Sequence, residues 1–593
     1  MASKNTASKR SWKKTGLILL VVVVVLAILI PVTVLLVSKY FTEQEHTVRT
    51  DWTFETGDVI AEMDEWQVDF AEAELGDGLR AIQLVPQDIQ EEGFSYYDLK
   101  VQERLEGALE ELKHTGDMTW TPTTPLAVLN PYGTGSNGLY LYFETERATA
   151  VSYTVHVDSE DISDFTADAA DSSGQEYTRT HEFQIIGLVP GETNYVTLTM
   201  TGSWGNTRQV VRFQVDMPET SSGYATRLEV TDGPSEAEQA EGLFTMMRVN
   251  GYLGYGFFYD NDGILRYEMV LEGYGFDRIL FVDNEILTCA SSSKLARING
   301  LGQVTQIYDL DGYDLHHDIG FGQGGEVLAL AEERGSETVE DRLLSIDLES
   351  GEVTQLLDFA QLMEPYFSMT RPVGATDDFF WQAGEWDWIH LNSLQYLPEE
   401  DSLIVSSRET STIIKVKNLH TDPAVDWLAG DQRFWADTPY ADACLTQEGD
   451  FVPQYGQHCV EYYADGEEDG VYYLALYNNN YWSLNSRDFE MEVADSVGTG
   501  LYQEDDETSQ VYIYRIDENA RTFSLERSFD VPYSSIVSNG SLCGDSGSWT
   551  VNSGVAMVFG EYDADGQLIR EYAYECTMQN YRTFKYDMTI WFR

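Results

Sequence analysis

Apolar and polar residues alternate with a period of two along most of the chain beyond residue 117. Between residues 125 and 219 this pattern marks five strands: GLYLYFET, AVSYTVHV, THEFQIIGL, NYVTLTMTG and QVVRFQV. Five or more short alternating strands in about a hundred residues are typical of a small β-sandwich. We therefore predict a β-sandwich domain over residues 117–222.

Residues 223–593 continue as short β-rich runs that no long helical pattern interrupts. A weak repeat is visible in SKLARINGLGQVTQIYDL and DRLLSIDLESGEVTQLLDF, where one strand turns at Gly, Asp or Asn into the next. Spacings of about 46–48 residues suit a propeller with roughly 45 residues in each four-stranded blade. We predict an all-β fold whose second domain is a propeller of six to eight blades, with insertions favouring six. Tandem sandwiches would not readily give the recurring outer hairpin.

The predicted second segment, residues 41–116, departs from the β pattern. It is acidic and includes YYDLKVQERLEGALEELKHTG. In this stretch Leu99, Leu105, Leu109 and Leu112 recur roughly at helical spacing, which predicts an amphipathic helix.

The first segment, residues 1–40, contains Gly16–Val37, a run of 22 uncharged and mostly apolar residues that is long enough to span a bilayer. The five cations before it favour a cytoplasmic N-terminus and an extracytoplasmic body. A cleaved signal peptide is the alternative, but no small-x-small cleavage site follows the run. We therefore expect an uncleaved, single-pass anchor in the cell membrane.

Length and charge narrow the class of protein further. A chain of 593 residues is too long for one compact core, so at least two domains are expected. The 100 acidic and 36 basic residues give a net charge of −64, and all of the acidic residues lie beyond residue 40. Such a surface repels polyanions, which argues against nucleic acid as a partner.

The five cysteines suit an oxidising compartment without requiring it. The pairs closest in sequence, Cys444–Cys459 and Cys543–Cys576, are the predicted disulfides, and the other pairings stay open. No CxxC motif or His-rich metal spacing is present, so we predict no metal site.

Candidate chemistry is concentrated in the few histidines of the propeller region. Four of them stand in compact polar settings: His316 and His317 in DLHHDIGF, His390 in WIHLNS, and His458 in YGQHCVEYY. Propeller strands radiate from a central channel, so residues at equivalent positions of different blades converge on one axis. Histidines that are distant in sequence are therefore expected to share one pocket.

One predicted hairpin adds a cation to this set. SLQYL and DSLIVSSR alternate like strands, and PEED between them reads as a turn. His390 precedes the first strand and Arg408 ends the second, so an antiparallel pair places both at the same end. An imidazole and a guanidinium there would suit a small anion. A surface hairpin with incidental polar ends is the alternative interpretation.

Taken together, HHDI, WIHLNS…YLPEEDSLIVSSR…IIKV and GQH resemble motifs of the bacterial arylsulfate sulfotransferases, which need no nucleotide sulfate donor (PAPS). NPYG and FQIIGLVPGETNYVTLT resemble the N-terminal β-sandwich domain of that family, so the resemblance covers roughly residues 95–593. It implies a six-bladed propeller whose channel holds the site, and a histidine that is transiently sulfated.

The resemblance also implies roles for the matched residues. His458 takes the place of the nucleophile, while His390, Arg408 and one residue of the HHD pair take the sulfate-binding places. His317, which adjoins the aspartate, is preferred to His316, but both stay open. Asn392 in the WIHLNS motif is a further substrate-binding candidate. Relatives of this kind can be homodimers.

The residue types fit this chemistry independently of the family. A neutral imidazole, with an ordinary pKa near 6.5, is available as a nucleophile at neutral pH. An arginine offers a planar fork of donors to sulfuryl oxygens. Neither a metal nor a cofactor is required.

We therefore predict an aryl sulfotransferase that moves a sulfuryl group from phenolic sulfate esters to phenols by a ping-pong mechanism. An aryl sulfate hydrolase on the same frame and a membrane-tethered, ligand-binding propeller are the alternatives.

The predicted anchor can be tested by fractionation. Because Gly16–Val37 is apolar and flanked by cations, the full chain should pellet with membranes and resist extraction by salt or carbonate. A chain that begins at Thr42 should be soluble and active. Recovery of a trimmed protein from the medium would instead identify a cleaved signal peptide.

Overall fold

A computed structural model of the chain describes residues 18, 20–33, 45–47, 61–63, 66–74, 80–86 and 94–588, the last range without 115–118, 251–252, 276–277, 465–467, 499, 504–506 and 577–578. The described residues form seven sheets and few helices, which confirms the predicted all-β class.

The N-terminal apolar run is only partly described. Residues 20–33 form helix α1, whose side chains are exposed. Within the described ranges, no helix combines the length and the apolar character that crossing a membrane requires. Residues 16–17, 19 and 34–37 of the predicted anchor lie outside the described residues, so the anchor stays a prediction.

The predicted amphipathic helix is confirmed as α2 (Leu99–Lys113). One face of it is buried, through Val101, Leu105, Ala108, Leu109 and Leu112. The placement of Leu99 on this face is wrong, because 37% of its surface is exposed. Six residues separate Leu99 from Leu105, which in a helix of 3.6 residues per turn puts the two side chains on different faces.

The ten strands before the propeller region form one sheet. They are β1 (Glu45–Thr47), β2 (Ala61–Met63), β3 (Trp66–Glu74), β4 (Arg80–Pro86), β5 (Leu126–Leu129), β6 (Leu139–Val157), β7 (Phe165–Asp168), β8 (Thr178–Ile185), β9 (Thr193–Thr201) and β10 (Thr207–Asp216). GLYLYFET and AVSYTVHV, predicted as two strands, are the two halves of β6. The first half pairs with β5 and β8 and the second with β7 and β9, so this long strand changes its neighbours halfway.

The remaining strands form six sheets of four or five strands. The first sheet contains β12 (Leu243–Asn250), β13 (Leu253–Tyr259), β14 (Leu265–Leu271) and the C-terminal β36 (Thr583–Tyr586). The second contains β15 (Leu280–Val282), β16 (Glu285–Ser291), β17 (Lys294–Ile298) and β18 (Val304–Asp309). The third contains β19 (Tyr313–Phe321), β20 (Glu326–Glu333), β21 (Arg342–Asp347) and β22 (Val353–Asp358).

The other three sheets follow the same meander. The fourth contains β23 (Leu391–Leu397), β24 (Ser402–Ser407), β25 (Thr412–Lys417) and β26 (Ala424–Ala429). The fifth contains β28 (His458–Ala464), β29 (Val471–Asn478), β30 (Thr508–Asp517), β31 (Thr522–Pro532) and, at its outer edge, β27 (Thr446–Glu448). The sixth contains β32 (Asn539–Leu542), β33 (Trp549–Ser553), β34 (Val558–Tyr562), β35 (Leu568–Ala573) and, at its outer edge, β11 (Glu229–Asp232).

Short helices lie in the connections between these strands. The α-helices are α3 (Phe359–Leu362), α4 (Glu364–Phe367) and α5 (Gln432–Trp435). The 3-10 helices are Gln323–Gly325, Phe380–Gln382, Ala441–Ala443 and Gly544–Ser546.

Hydrophobic packing joins the six sheets into a ring. A buried apolar cluster lies between every sheet and the next, and a further cluster joins the sixth sheet to the first. This arrangement is propeller-like, because each sheet packs face to face with two neighbours.

Strands from both ends of this region close the ring. The strand β11 pairs with the outer strand of the sixth sheet, and β36 pairs with β12 as the inner strand of the first. The buried Lys585 Nζ on β36 lies 2.7 Å from Glu561 Oε2 on β34, so an ion pair also links the first and sixth sheets. Removing one partner of a buried ion pair typically costs about 3–5 kcal/mol.

The predicted disulfides are wrong, because the thiols of Cys444, Cys459, Cys543 and Cys576 are free. The backbone of Cys444 forms an isolated β-bridge with Leu428 on the outer strand of the fourth sheet, whereas Cys459 lies on the inner strand of the fifth. Likewise, Cys543 follows the inner strand of the sixth sheet and Cys576 follows the outer strand β35. The predicted pairs, chosen by proximity in sequence, therefore join cysteines that lie near inner strands to cysteines that lie near outer strands.

The burial of α2 generates a stability prediction. Replacement of the fully buried Leu105 by Ala should lower the free energy of unfolding by about 2–5 kcal/mol, since it leaves a cavity. The exposed Leu99→Ala change is the matched control, with an expected effect within about 0.5 kcal/mol. Urea titration followed by circular dichroism measures both, and equal effects would contradict the packing described for α2.

Candidate active site

The first strands of the third, fourth and fifth sheets, β19, β23 and β28, lie side by side. The amide of Leu394 on β23 donates to Asp318 Oδ2 on β19 at 3.1 Å. The amide of Val460 on β28 donates to Ser393 Oγ on β23 at 2.9 Å. Side chains near the start of three different sheets are thereby brought to one place.

The register is irregular at His316 and His317 on β19, directly after His458 on β28, and at Asn392 on β23, two residues after His390. The backbone is left-handed at His317 (φ 61°), at His390 (φ 46°) and at Cys459 (φ 52°), the residue after His458. Residues other than glycine adopt this conformation at a cost of about 1–3 kcal/mol, and such irregularities often re-aim side chains beside active sites. Here they accompany imidazoles that face a common cavity.

The cavity has a volume of about 290 Å³. Five of the predicted site residues line it: His316, His317, His390, Arg408 and His458. The hairpin has the predicted geometry, since β23 and β24 are antiparallel and the Arg408 amide donates to the His390 carbonyl oxygen at 3.1 Å.

The sixth predicted residue, Asn392, does not line this cavity. Its fully buried side chain donates from Nδ2 to the carbonyl oxygen of Gln457 at 2.8 Å. Its own carbonyl oxygen accepts from Tyr581 Oη at 3.2 Å and from Arg582. The structure thus places Asn392 where it holds the residue before His458 and the ring of Tyr581.

A buried carboxylate that the sequence reasoning missed connects the two ends of the hairpin. Asp387 Oδ2 lies 2.7 Å from His390 Nδ1 and 3.1 Å from Arg408 Nη2. The guanidinium carbon of Arg408 also lies 4.3 Å from the centre of the Phe379 ring. In the sequence, the only indication of this contact is that Asp387 lies three residues before His390.

A second missed carboxylate, Glu340, joins two of the imidazoles. Its Oε2 lies 3.0 Å from His317 Nε2 and 2.6 Å from His390 Nδ1. Burial opposes ionisation, but His390 and His317 hold the pKa of Glu340 well below its usual range. Glu340 lies in the connection between β20 and β21, where no sequence pattern marked it.

The imidazoles differ in protonation. Burial lowers the pKa of His316 to about 3 and also lowers that of His317, although Glu340 opposes both shifts. Burial and Arg408 would also lower the pKa of His390, but the carboxylates of Asp387 and Glu340 outweigh them and raise it to about 9. At neutral pH His390 is therefore protonated and the other two rings are neutral.

His458 is held in one tautomer. Its Nδ1 lies 2.8 Å from Asn479 Oδ1 and 3.0 Å from the carbonyl oxygen of Gly456, and both of these atoms accept hydrogen bonds. The Asn479 amide is oriented because its Nδ2 donates to the carbonyl oxygens of Ser534 and Val537. Nδ1 therefore carries the proton and Nε2 keeps the lone pair. Burial keeps the pKa of His458 well below its ordinary value.

Tyr581 contacts both His317, a candidate sulfate-binding residue, and His458, the candidate nucleophile. Its ring stacks on His317 with centroids 5.1 Å apart, and it meets His458 edge-on at 6.2 Å. Tyr581 and Asn479 were both missed by the sequence reasoning, because neither lies in the histidine, arginine and WIHLNS settings from which the candidates came.

Metal ligands are also present among the described residues. His316, His317 and Glu340 offer three ligand atoms within 4.8 Å of one another. Glu340, Asp387 and His390 offer a second such set. The sequence predicted no metal site, because these residues come from three different segments.

Two family models match the chain. Residues 229–590 match the arylsulfotransferase (ASST) model, and residues 126–218 match the arylsulfotransferase Ig-like domain. No curated protein matches the chain.

Two of the matching solved structures are remote relatives. A putative 6-phosphogluconolactonase from Bacteroides fragilis is 11% identical with a TM-score of 0.33, and the match covers 74% of this chain and 98% of that one. TolB from Acinetobacter baumannii is 12% identical with a TM-score of 0.31, and the match covers 67% and 80%. The first family model matches more than half of the chain, and the protein therefore belongs to the arylsulfotransferase family.

Proposed function

We propose that the protein transfers a sulfuryl group from a phenolic sulfate ester to a phenol by a ping-pong mechanism through sulfohistidine at His458, without PAPS. The observation that carries this proposal is the orientation of His458. Asn479 Oδ1 and the Gly456 carbonyl fix the proton on Nδ1, so a neutral Nε2 is available as nucleophile.

In the first half-reaction, His458 Nε2 attacks sulfur and forms the N–S bond while the S–O bond to the aryl group breaks. The departing phenolate takes a proton from His390, whose pKa of about 9 keeps it protonated at neutral pH. In the second half-reaction, the neutral His390 accepts the proton of the acceptor phenol. The phenol oxygen forms a bond to sulfur, the N–S bond breaks, and both histidines return to their first states.

Arg408 is assigned to the sulfuryl oxygens. Asp387 accepts from one of its terminal nitrogens, and Phe379 packs against the face of its guanidinium. The side chain is therefore held before substrate arrives, which reduces the ordering cost of binding. His317 takes the second sulfate-binding place; because the one N–H of its neutral ring points to Glu340, it donates to the sulfuryl group only when it is protonated.

The aryl group is assigned to the aromatic wall of the cavity. Phe379, Trp381, Tyr274 and Tyr581 contribute to its lining. A volume of about 290 Å³ suits one phenolic ring with its sulfuryl group rather than a nucleotide. We infer that the six sheets are the blades of a six-bladed propeller with this cavity at its channel.

The cellular setting is also a proposal. We infer from Gly16–Val37 and its preceding cations that the chain is anchored in the cell membrane with its catalytic body outside the cytoplasm. A homodimer remains an expectation from the family resemblance.

Replacing the nucleophile should abolish transfer. In His458→Ala the only residue assigned the nucleophile's role is lost, so neither turnover nor a sulfated chain is expected. Intact-protein mass after exposure to an aryl sulfate should increase by one sulfuryl group in the wild type only. His156→Ala, on an exposed histidine of the N-terminal sheet, is the control that should keep both signals. Normal transfer by His458→Ala would falsify the sulfohistidine mechanism.

A conservative change tests the assignment of Arg408. Arg408→Lys keeps the charge but loses the planar fork, so kcat should fall by about 10²–10³, or roughly 2.7–4 kcal/mol. Arg433→Lys is the matched control, because Arg433 is exposed and does not line the cavity. Turnover with a phenol acceptor is measured beside a thermal melt. Near-normal turnover in well-folded Arg408→Lys would remove the anion-binding role.

The protonation of His390 predicts a pH dependence. Because its pKa is raised to about 9, the protonated form is complete well below that value and is lost as pH rises through it. Asp387→Asn removes one carboxylate, so the alkaline limb of kcat/KM should move to lower pH. A purely structural aspartate would reduce kcat/KM equally at all pH values, and that result would refute His390 as the acid.

A further inference from the structure

Adjacent side chains on a regular strand point to opposite faces of a sheet. His316 and His317 do not follow this rule, since both line the cavity and their ring centroids lie 4.9 Å apart. The left-handed backbone at His317 and the irregular register of β19 account for the exception. The fold therefore directs two neighbouring imidazoles into one space, at a cost in backbone strain.

No hydrogen bond of standard geometry reaches the ring of His316, although the backbone of Ala331 lies close enough to raise its pKa slightly. Both of its ring nitrogens are buried, and neither has a hydrogen-bond partner among the described residues. An unsatisfied buried polar group destabilises a fold and calls for an explanation such as a bound ion.

The third group beside this pair is a carboxylate. Glu340 Oε2 lies 3.0 Å from His317 Nε2, and the ligand atoms of Glu340, His317 and His316 all lie within 4.8 Å of one another. Tetrahedral Zn²⁺ has bonds of about 2.0–2.1 Å, which separates ligand atoms by about 3.3 Å. The Glu340–His317 pair already has nearly this spacing, and a ligand atom of His316 lies within 4.8 Å of both.

We propose that His316, His317 and Glu340 form a binding site for a divalent transition-metal ion of the Zn²⁺ type, with a fourth position open to the cavity. Two imidazoles and one carboxylate suit such ions, whereas Mg²⁺ and Ca²⁺ prefer oxygen ligands throughout. Neutral His317 and ionised Glu340 already have the forms that bind a metal ion, so binding through Nε2 moves the imidazole proton to Nδ1 and releases none.

The second set, Glu340, Asp387 and His390, is a poorer cation site. Arg408 Nη2 lies 3.1 Å from Asp387 Oδ2, so a metal ion there would face a fixed positive charge. His390 Nδ1 already lies between two carboxylate oxygens, at 2.6 and 2.7 Å. The metal ion is therefore assigned to the side of Glu340 that faces the histidine pair.

This site would make the enzyme sensitive to metal ions. A bound ion takes His317 and Glu340 out of the hydrogen-bond network that holds the sulfuryl site, so it should inhibit transfer reversibly. The inhibition rests on the proposed function, whereas the binding itself does not.

The test uses the full chain in detergent and Co²⁺ as a spectroscopic probe. We expect one Co²⁺ per chain, with the visible absorption of a tetrahedral site that Zn²⁺ abolishes on displacing it. His316→Gln and Glu340→Gln should each lose this absorption, and His156→Ala, outside the cavity, should keep it. X-ray absorption of the Zn²⁺-loaded wild type should reveal two imidazole ligands, which tests the site without any variant.

Two outcomes would overturn the site: no tetrahedral Co²⁺ signal in the wild type, or an unchanged signal in His316→Gln. His458→Ala should still bind Co²⁺, because His458 is not a ligand, so failure of the proposed mechanism would leave this signal intact. Inhibition by Zn²⁺ that a chelator reverses supports the functional consequence. Full transfer activity in the Zn²⁺-saturated wild type would overturn that consequence.

Discussion

Closure of the six sheets into a ring brings the first strands of neighbouring sheets within hydrogen-bonding distance, and the site depends on this constraint. Apolar clusters between all adjacent sheets, including the sixth and the first, supply the packing. The buried pair of Lys585 and Glu561 stands at the seam where the two ends of the region meet. Since the seam pairs strands from both ends of this region, the cavity is assembled only when nearly the whole region has folded.

Within this frame, the strained backbone at the site directs the imidazoles into the cavity. A regular strand offers one side chain to the channel and the next to the opposite face. The left-handed residues on β19 and β28 and directly before β23 break this alternation where the histidines stand. The surrounding clusters hold the irregular backbone in place, so the imidazoles are positioned before any ligand arrives.

Carboxylates outnumber cations at the site. Arg408 and His390 face the carboxylates of Asp387 and Glu340, and Glu409 lies 3.5 Å from Arg408. The described residues of the site therefore carry no excess of positive charge that could offset the acidic surface. Recognition of an anionic ester must rely on directed hydrogen-bond donors, which act strongly in a buried, low-dielectric cavity. The carboxylates fix the directions of those donors and keep His390 protonated.

The sequence by itself determined the all-β class, helix α2, the hairpin of β23 and β24, and the family, because these follow from local periodicity and contiguous motifs. It also pointed to His316, His317, His390, Arg408 and His458, since such polar settings are rare in this chain. Only the tertiary structure decided the contacts of Asp387 and Glu340, the tautomer of His458 and the turned-in ring of His316. It also separated the cysteines that proximity had paired. These features depend on contacts between different sheets and on backbone irregularities, which no local pattern of apolar and polar residues encodes.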